Sequence, residues 1–415
     1  MKSAIAETAM KAGRNTLMVF LLSCGLAAQD RSAGSGFTAH EWGTFTSVAG
    51  SDGKALEWRP LDLNNLSFDD YGAQRSKELP SFVETQHWVA FKGGLFATIR
   101  METPVIYFYS SRPVTVSVRV RFAKGLITEW YPHAAPVLSD DTSAAGKMAS
   151  LYAKGAGEGN ISWNDVAVDP GPAPNFPRDS DDNDNRYYAA RETLATPLRV
   201  NTPKGAQHEK FLFYRGVSLS SVPVTATFTP EGKLRVRSLF KEEIPTVILF
   251  ERRGERVGYR MVSGGLANEK VLDPPELTAT VERLYGDLEE VLVARGLFPE
   301  EAHAMVQTWR DSWFEEGSRL FYIVPSSFVE AILPLSITPA PQQVVRVFVG
   351  RLELISPATQ EAVSAAMAAN DKATLAKYGR FLQPIQAVIR KQNAAAALHK
   401  NPTHTTDNTD LHGPK

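Results

Sequence analysis

Residues 113–122 read PVTVSVRVRF, a run in which every second side chain is apolar. Successive side chains of a β-strand point to opposite faces, so this period of two predicts a strand with one face on a core and one in water. Similar runs recur up to about residue 265, and the turns TPEG (229–232) and RRGE (252–255) join two pairs of them. Glycine-bearing turns of this kind favour antiparallel hairpins over parallel crossover units.

These runs predict a first domain, an antiparallel β-sandwich-like body over residues 37–265. A region rich in Gly, Pro, Asp and Asn interrupts them and predicts a long loop over 133–195. From about residue 270, apolar residues recur every three or four positions, first up to Gly296 and again from Pro299. That change of period predicts two helices.

The segment 270–395 combines those helices with two further alternating runs, RLFYIV and VVRVFVGRLELI, and predicts a smaller helical α+β C-terminal unit. A helix starting after Ser356-Pro357 is expected to break at Asn370-Asp371. The polar, aperiodic residues 396–415 predict a disordered tail. The predicted fold class is therefore β-rich α+β, an antiparallel β-sandwich-like body followed by this C-terminal unit.

The charge composition argues against one class of partner. The 415 residues include 45 basic and 46 acidic side chains, which gives a formal net charge of −1. Binding to nucleic acid relies on a clustered excess of Lys and Arg that the sequence does not show, so we expect no nucleic-acid partner. A chain of this length can bury a large core without a disulfide, and Cys24 is its single cysteine.

The N-terminus has the layout of a secretory signal. Basic residues precede the apolar run Leu17–Leu22, and small residues followed by polar ones come after it. We expect residues 1–28 to be a signal peptide. The alternative is a lipoprotein signal that ends before Cys24, because LLSC (21–24) resembles a bacterial lipobox. Residues 29–36 then form a spacer. We expect a periplasmic or secreted protein, or one lipid-anchored at Cys24 to the outer face of a bacterial membrane.

The octapeptide HEWGTFTS (40–47) places a histidine beside a carboxylate. His40 and Glu41 match the start of the zinc-protease motif H-E-x-x-H, but Thr44 stands where the second histidine is required. In a strand, neighbouring side chains point to opposite faces and cannot share a metal. The alternative interpretation of His40 is a strand-end histidine that hydrogen-bonds to the backbone.

Two metal sites are considered, although no complete motif requires a cofactor. Zinc ligands on a β-scaffold need not follow a tight spacing, so scattered residues are candidates: His40, Glu41, His87, His133 and His208. The stretch DSDDNDN offers hard oxygen ligands that suit calcium: Asp179, Asp181, Asp182 and Asp184. A solvated acidic turn is the alternative for the second set. We expect no cofactor, with zinc or calcium as the alternatives.

Tryptophans in the β-rich part are candidate ligand-binding residues. Exposed aromatic rows on sandwiches bind sugar rings by stacking against their apolar faces. The candidates are Trp42, Trp58, Trp88 and Trp130. Burial in the core is the alternative for each of them.

Four segments carry a resemblance to other proteins: HEWGTFTS (40–47), METPVIYFY (101–109), YYAARET (187–193) and WRDSWFEEG (309–317). Together they resemble a set of uncharacterised exported bacterial proteins. The resemblance covers most of the mature chain. It implies export, and it brings no activity, cofactor or catalytic residue with it.

Two hypotheses of function follow from the sequence. The first is an envelope or secreted protein without catalytic activity, which uses loops of the sandwich to bind an envelope partner, a glycan or a surface component. The second is an extracytoplasmic hydrolase, with or without a metal, whose histidines and carboxylates come from distant strands. Convergence of His40 or Glu41 with another histidine in a concave pocket would favour the hydrolase.

Overall fold

The structure is a computed structural model of the chain. It describes residues 36–61, 79–85, 95–135, 157–179, 185–262 and 264–400, with side chains up to residue 394. The predicted signal peptide, Cys24, His87 and Trp88 lie outside these ranges. No helix among the described residues is long and apolar enough to cross a lipid bilayer.

Strands account for more of the described residues than helices do. In chain order the strands are β1 (Thr38–Val48), β2 (Glu84–Thr85), β3 (Ile99–Tyr109), β4 (Val114–Ala123), β5 (Gly125–Tyr131), β6 (Glu158–Val168), β7 (Leu198–Thr202), β8 (Gly205–Glu209), β9 (Phe211–Ser218), β10 (Val224–Phe228), β11 (Leu234–Ser238), β12 (Val247–Arg253), β13 (Arg256–Met261), β14 (Glu269–Leu272), β15 (Gly317–Ile323), β16 (Leu335–Thr338) and β17 (Gln343–Leu354). The α-helices are α1 (Val281–Ala294), α2 (Pro299–Trp313), α3 (Ser326–Ile332), α4 (Pro357–Ala369), α5 (Lys372–Ala376) and α6 (Leu382–Lys400). Within the described ranges, 3₁₀ helices lie at Arg186–Arg191 and Gly379–Phe381.

The described strands form three sheets. The largest has the order β13-β12-β15-β17-β1-β3-β9-β5-β2, the second β16-β4-β6-β7-β8, and the third β10-β11-β14. Neighbouring strands in these sheets are antiparallel, except that β1 runs parallel to β17. The predicted hairpins β10–β11 and β12–β13 are present. The predicted β-rich α+β class, with antiparallel sheets and C-terminal helices, is confirmed.

The segments on the two sides of residues 265–270 share one sheet. β15 and β17, from the predicted C-terminal unit, lie between β12 and β1 in the nine-stranded sheet. In the same way, β16 pairs with β4 at one edge of the five-stranded sheet. The described residues accordingly belong to one compact unit.

The nine-stranded sheet is covered on both faces. One face packs against the five- and three-stranded sheets, with Tyr214 and Trp163 in the same core. The opposite face packs against α1, α2 and the 3₁₀ helix Arg186–Arg191, and its core includes Trp42 and Trp309. A smaller apolar cluster, which includes Val48, forms beneath α4, α5 and α6. Burial of these apolar faces is the main term that stabilises such a layered arrangement.

A β-bulge in β3 decides which of its side chains face the helices. Opposite both of its neighbours, β3 has one residue more than the partner strand, and Thr103 in the bulge has φ 47°. The extra residue shifts the alternation of side chains by one position. As a result Arg100 and Glu102, on one side of the bulge, face the same layer as Val105 and Tyr107 on the other.

The predicted loop 133–195 contains a strand, β6, which pairs with β4. Its core residues Trp163 and Val166 are three positions apart, so the period of two is broken between them. A bulge explains that spacing: β6 has one residue more than β4 at this point, and Asp165 has φ 53°. The prediction of an unbroken loop was wrong because the bulge hides the alternation.

Several helix ends follow the capping signals of the sequence. α2 begins at Pro299 as predicted. α4 follows the N-cap Ser356, whose side chain accepts a hydrogen bond from the backbone N–H of Thr359. It ends at Asn370 in the left-handed conformation, and Asp371 then caps α5. The predicted break between these two helices is confirmed.

Other limits differ from the sequence predictions. α1 begins at Val281, after the N-cap Thr280, about ten residues beyond the change of period predicted near residue 270. α6 continues to Lys400, so helical backbone extends past the predicted start of the tail at 396. The run AAAA (394–397) in this helix has a high helix propensity. The sequence prediction ended the helix too early because it weighed the polar residues that follow this run more heavily than the alanines. The linker before β17 also contains α3 and β16.

Candidate functional site

An open pocket lies between α2, the 3₁₀ helix Arg186–Arg191 and the irregular segment 174–178. Lys210, which connects β8 to β9, completes its lining. The volume of about 810 Å³ is in the range of small-molecule binding sites. We call this space the basic pocket.

The lining of the basic pocket is polar and carries an excess of positive charge. Its basic residues are Arg178, Arg186, Arg191, Lys210 and Arg310. Its acidic and amide residues are Glu192, Asp311, Asn175, Asn185 and Gln307. Counted without His303, the five cations and two carboxylates of the described lining leave three positive charges in excess. Charge of one sign in a concave space raises the local concentration of ligands of the opposite sign.

The 3₁₀ helix positions the central arginine of the pocket. Asn185 caps this helix by accepting a hydrogen bond from the backbone N–H of Tyr187 (2.9 Å), and the Tyr187 ring is buried. Arg191 ends the helix and donates to Glu209, with Nη2 2.6 Å from Oε2 and Nε 2.9 Å from Oε1. Its remaining nitrogen, Nη1, is buried and has no hydrogen-bond partner among the described residues. An unsatisfied buried donor costs about 1–3 kcal/mol.

Aromatic rings hold three of the pocket arginines. The guanidinium carbon of Arg191 lies 4.9 Å from the ring centre of Tyr188. That of Arg178 lies 4.9 Å from the same ring, and that of Arg186 lies 5.3 Å from the ring of Trp309. Contacts between a cation and an aromatic face contribute about 0.5–1 kcal/mol each at exposed sites. They also restrict the rotamers of the arginines, so that part of the ordering cost of binding is met before a ligand arrives.

Burial and charge set the protonation of the groups behind the pocket. Burial raises the pKa of Glu209, while hydrogen bonds from Arg191 and from the backbone N–H of Lys210 oppose that rise. Burial lowers the pKa of Arg191, but Glu209 outweighs this effect, so its pKa is raised and it stays a cation. For Lys210 burial outweighs the attraction of Glu209 and the pKa is lowered. The Nζ of Lys210 donates to the carbonyl oxygen of Thr193 (2.7 Å).

α2 supplies one wall of the pocket with its outer face. The residues of α2 that line the pocket share one helix face: His303, then Gln307 four positions on, then Arg310 and Asp311 three and four positions after Gln307. The opposite face is buried and includes Trp309 and Trp313. Nδ1 of His303 lies 2.8 Å from Oε1 of Glu289 in α1, which links the two helices beside the pocket.

A second group of charged side chains lies on the helix-facing side of the central strands. We define the ionic belt as Arg100, Glu102, Arg319, Arg351 and Glu353. None of these five residues is more than 5% exposed. Arg380, from the 3₁₀ helix Gly379–Phe381, reaches the belt from the C-terminal helices. Buried charges are retained only where partners compensate the loss of water, so the pairing within the belt decides its effect on stability.

Glu102 is the best-compensated carboxylate of the belt. It accepts a hydrogen bond from Oγ1 of Thr46 (2.7 Å), and its Oε1 lies 3.1 Å from Nε of Arg100. Nη2 of Arg380 lies 3.3 Å from its Oε2. Burial alone would raise the pKa of Glu102, but Arg380, Arg100 and Thr46 together lower the pKa from 4.5 to about 2. Glu102 is therefore a carboxylate throughout the physiological pH range.

The other half of the belt joins α2 to the sheet. Nε of Arg319 lies 2.8 Å from Oε2 of Glu353, and its Nη1 donates to the carbonyl oxygen of Trp313 at the end of α2 (3.2 Å). A cation at a helix C-terminus is favourable because carbonyl groups there lack intrahelical partners. Arg351 donates to Glu315 (3.0 Å), while burial and the repulsion of Arg319 lower the pKa of Arg351 to about 10.

His40 and Glu41 lie on a strand, as predicted, and have separate partners on its two faces. Nδ1 of His40 is 2.8 Å from Oε2 of Glu301, and its ring stacks on Phe298 at 4.5 Å. Oε2 of Glu41 accepts a hydrogen bond from Nε of Arg346 (2.6 Å). The expectation of a backbone partner for His40 was wrong, because a side-chain carboxylate of α2 takes that place. The two side chains thus point to opposite faces of β1.

The remaining described zinc candidates do not converge on them. Nδ1 of His133 lies 2.9 Å from Oε1 of Glu84, and His208 lies on β8 opposite Arg199. Among the described residues, no three His, Cys, Asp or Glu side chains are grouped so as to hold a metal ion. The predicted zinc set is therefore not brought together for His40, Glu41, His133 and His208, and His87 lies outside the described ranges.

The tryptophan candidates do not form an exposed row. Trp42 is fully buried, Trp58 is 3% exposed and stacks on Phe381, and Trp130 is 8% exposed. Nε1 of Trp130 donates to Glu84 (2.9 Å). For these three, the prediction of sugar stacking was wrong because their large apolar surfaces complete the core. Trp88 lies outside the described residues.

Of the calcium candidates, Asp179 alone is within the described ranges, and Asp181, Asp182 and Asp184 lie outside them. The carboxylate of Asp179 accepts hydrogen bonds from Ser81, from the backbone N–H (3.0 Å) and from the hydroxyl (2.5 Å). Its oxygens are thus engaged by protein donors and tie two loops together.

The sequence predictions missed the basic pocket. Arg191 and Arg310 belong to segments that carry the resemblance, YYAARET and WRDSWFEEG, and the fold brings these segments together. The pocket cations come from four separate parts of the chain, and the net charge of −1 conceals their accumulation in space. The one local indication of the pocket was the arginine that follows two tyrosines in YYAAR (187–191). Comparison of the chain with known protein families and with curated proteins found no match.

Proposed function

We propose that the protein is an extracytoplasmic binding protein that takes an anionic ligand in the basic pocket. The excess of three positive charges among the described lining residues of one concave space carries this proposal. It keeps the binding function expected from the sequence and assigns the recognition to arginines instead of tryptophans. Export remains an expectation from the N-terminal sequence.

The pocket cations differ in how readily a ligand reaches them. Arg310 is half exposed, with 52% of its side chain accessible, and Arg178 is also exposed. Lys210 is partly buried, and Arg191 lies deepest, at 8% exposure. A ligand would therefore meet Arg310 and Arg178 first and approach Lys210 and Arg191 as it settles. Exposed charges mainly speed association, whereas desolvated ones slow dissociation.

The pairing of Arg191 supports a role in binding. Glu209 fixes one edge of the guanidinium group, so the position and orientation of the group are set before binding. Fixed guanidinium groups recognise carboxylate and phosphate oxygens with little further loss of entropy.

The test is isothermal titration calorimetry with three anionic probes: inorganic phosphate, citrate and trigalacturonate. We expect at least one probe to bind with a dissociation constant below about 1 mM, corresponding to a binding free energy beyond about −4 kcal/mol. Lys210→Gln and Arg310→Gln should each weaken that binding. Both side chains have a solvent-exposed part, so we expect both variants to fold.

The matched control is Arg199→Gln, which removes an exposed arginine of β7 that does not line the pocket. This variant should bind the probe as the parent protein does. Equal losses in Arg199→Gln and in the pocket variants would show a general charge effect and refute the site. Absence of binding by all three probes would refute the function.

A further inference from the structure

We infer that the ligand of the basic pocket is an acidic saccharide, a short chain of sugar rings that carry both carboxylate and hydroxyl groups. The inference rests on the proposed function and goes beyond it by naming the chemical class of the ligand. Three properties of the pocket carry it: its size, the carboxylates in its lining, and the kinds of structure that form its walls.

The size of the pocket calls for more than a small inorganic ion. A space of about 810 Å³ is in the range that accommodates drug-sized molecules. Arg178 and Arg310, which line it, come from the irregular segment and from α2 respectively, so the charges are distributed over different walls. A ligand with several separated negative charges would match this distribution better than one compact anion.

The carboxylates of the lining argue for a ligand that donates hydrogen bonds as well as accepting them. Glu192 and Asp311 are both exposed in the pocket. A sulfate group or a fully ionised phosphate ester offers acceptors only and would be repelled by these two side chains. The hydroxyl groups of a sugar can donate to carboxylates, while the carboxylates of an acidic sugar pair with guanidinium groups.

The walls of the pocket argue against an acidic peptide. Extended peptides are commonly bound by adding a strand to the free edge of a sheet or by placing apolar anchors in a groove. Here the described walls are helical or irregular, apart from Lys210 between two strands. The ring of Tyr188 is engaged by Arg178 and Arg191, so it is already committed to the cations.

Three probes of equal charge on different scaffolds test the inference by calorimetry. Trigalacturonate, citrate and N-acetyl-triglutamate amide each carry three carboxylates, on sugar rings, on a compact acid and on a peptide. We expect trigalacturonate to bind at least about tenfold more tightly than the other two, a difference of about 1.4 kcal/mol. The methyl ester of trigalacturonate keeps the rings and loses the charge, and it should bind at least about tenfold more weakly than the acid.

Each other outcome has a definite meaning. Tightest binding by citrate or by the peptide would overturn the saccharide inference and leave the proposed anion site standing, provided that Arg310→Gln weakens it. Equal binding of trigalacturonate and its ester would overturn the inference, because the charges would then contribute nothing. Absence of binding by every charged probe would overturn both the inference and the proposed function.

A variant of the lining separates the sugar from other anions more sharply. Asp311→Asn removes one negative charge at an 83% exposed side chain. We expect it to tighten citrate binding, since a repulsive charge is gone, and to weaken trigalacturonate binding about twofold to threefold, since a hydroxyl loses a charged acceptor. Tighter binding of both probes would show that Asp311 accepts no hydroxyl and would contradict the assignment.

Discussion

In the ionic belt, Glu102 of β3 and Glu353 of β17 pair with Arg100 and Arg319 away from water. In the basic pocket, five basic side chains share the described lining with two acidic ones. The two regions use the same residue types, but in the belt the acceptors come from the protein. In the pocket, the side chains of Arg178 and Arg310 are exposed to solvent.

The contrast separates stability from binding. Removing a carboxylate from the belt leaves buried cations without compensation, so the cost should appear in the free energy of unfolding. Removing a cation from the pocket reduces a repulsion among exposed charges, so the cost should appear in ligand affinity. The predictions below test this division, starting with the largest expected effect.

Glu102→Gln should destabilise the fold by about 3–5 kcal/mol, the range for breaking a buried ion pair. The amide keeps the shape of the side chain but leaves Arg100 and Arg380 without their shared anion. Urea unfolding would measure the loss. The control is Glu158→Gln, whose partner Arg121 lies 3.9 Å away with both side chains about half exposed. That variant should change stability by less than about 1 kcal/mol, and similar losses in the two variants would contradict the contrast.

Acid should lower the stability that Glu102 provides to the fold, whereas the arginines and the lysine of the pocket keep their positive charges. The folded pKa of Glu102 is about 2, whereas its ordinary value is 4.5, so below pH 4.5 the unfolded chain takes up a proton that the folded protein refuses. The stabilisation is complete above about pH 4.5 and is lost as the pH falls toward about 2, roughly 3 kcal/mol in all and about 2 kcal/mol by pH 3. Urea midpoints between pH 6 and pH 3 would show it. In Glu102→Gln this part of the slope should be absent, and an unchanged slope would show that other carboxylates cause it.

Arg310→Gln should leave the free energy of unfolding within about 0.5 kcal/mol of the parent, as for exposed substitutions in general. Its affinity for the preferred anionic probe should fall about fivefold, or roughly 1 kcal/mol, since one charge-assisted contact is lost. Calorimetry and urea unfolding on the same preparation would measure both quantities. A large loss of stability without a change in affinity would show that Arg310 stabilises the fold, as the belt residues do, and does not bind the ligand.

The smallest expected difference between the two regions is in their response to salt. Raising the salt concentration from about 0.05 M to about 0.5 M shortens the screening length from more than 10 Å to about 4 Å, so affinity at the pocket should fall severalfold. The stability difference between the parent and Glu102→Gln should change little, because charges shielded from solvent are screened much less. Salt-independent binding would mean that the ligand is held by contacts other than charge.

The fold class was accessible from the sequence because alternation survives in strands that have one face toward water, such as β4, β7 and β11. The run from Val114 to Phe122 has its apolar side chains on the core and its polar ones toward water. Where a bulge intervenes, as at Asp165 in β6 and Thr103 in β3, the alternation shifts and local reasoning loses the strand or its facing. Such shifts follow from pairing with neighbouring strands, and these neighbours are distant in the sequence.

The candidate site was not accessible, for a related reason. The opposite facing of His40 and Glu41 followed from the strand period, but their partners Glu301 and Arg346 come from elements about 260 and 305 positions away. Arg191 becomes a pocket residue only because α2 packs beside its helix. Clusters of this kind arise from tertiary packing, and a sequence pattern restricted to neighbouring residues does not contain them.

The parallel pairing of β1 with β17 also constrains how the molecule can fold. The first described strand stays without one of its central neighbours until almost the whole chain has been made. Before then the growing polypeptide presents two unsatisfied strand edges, where the finished sheet has its middle, and such edges invite aggregation. Contacts between distant segments also slow folding. The centre of the nine-stranded sheet is therefore completed only when Gln343–Leu354 of β17 joins strands that precede it by up to about 300 residues.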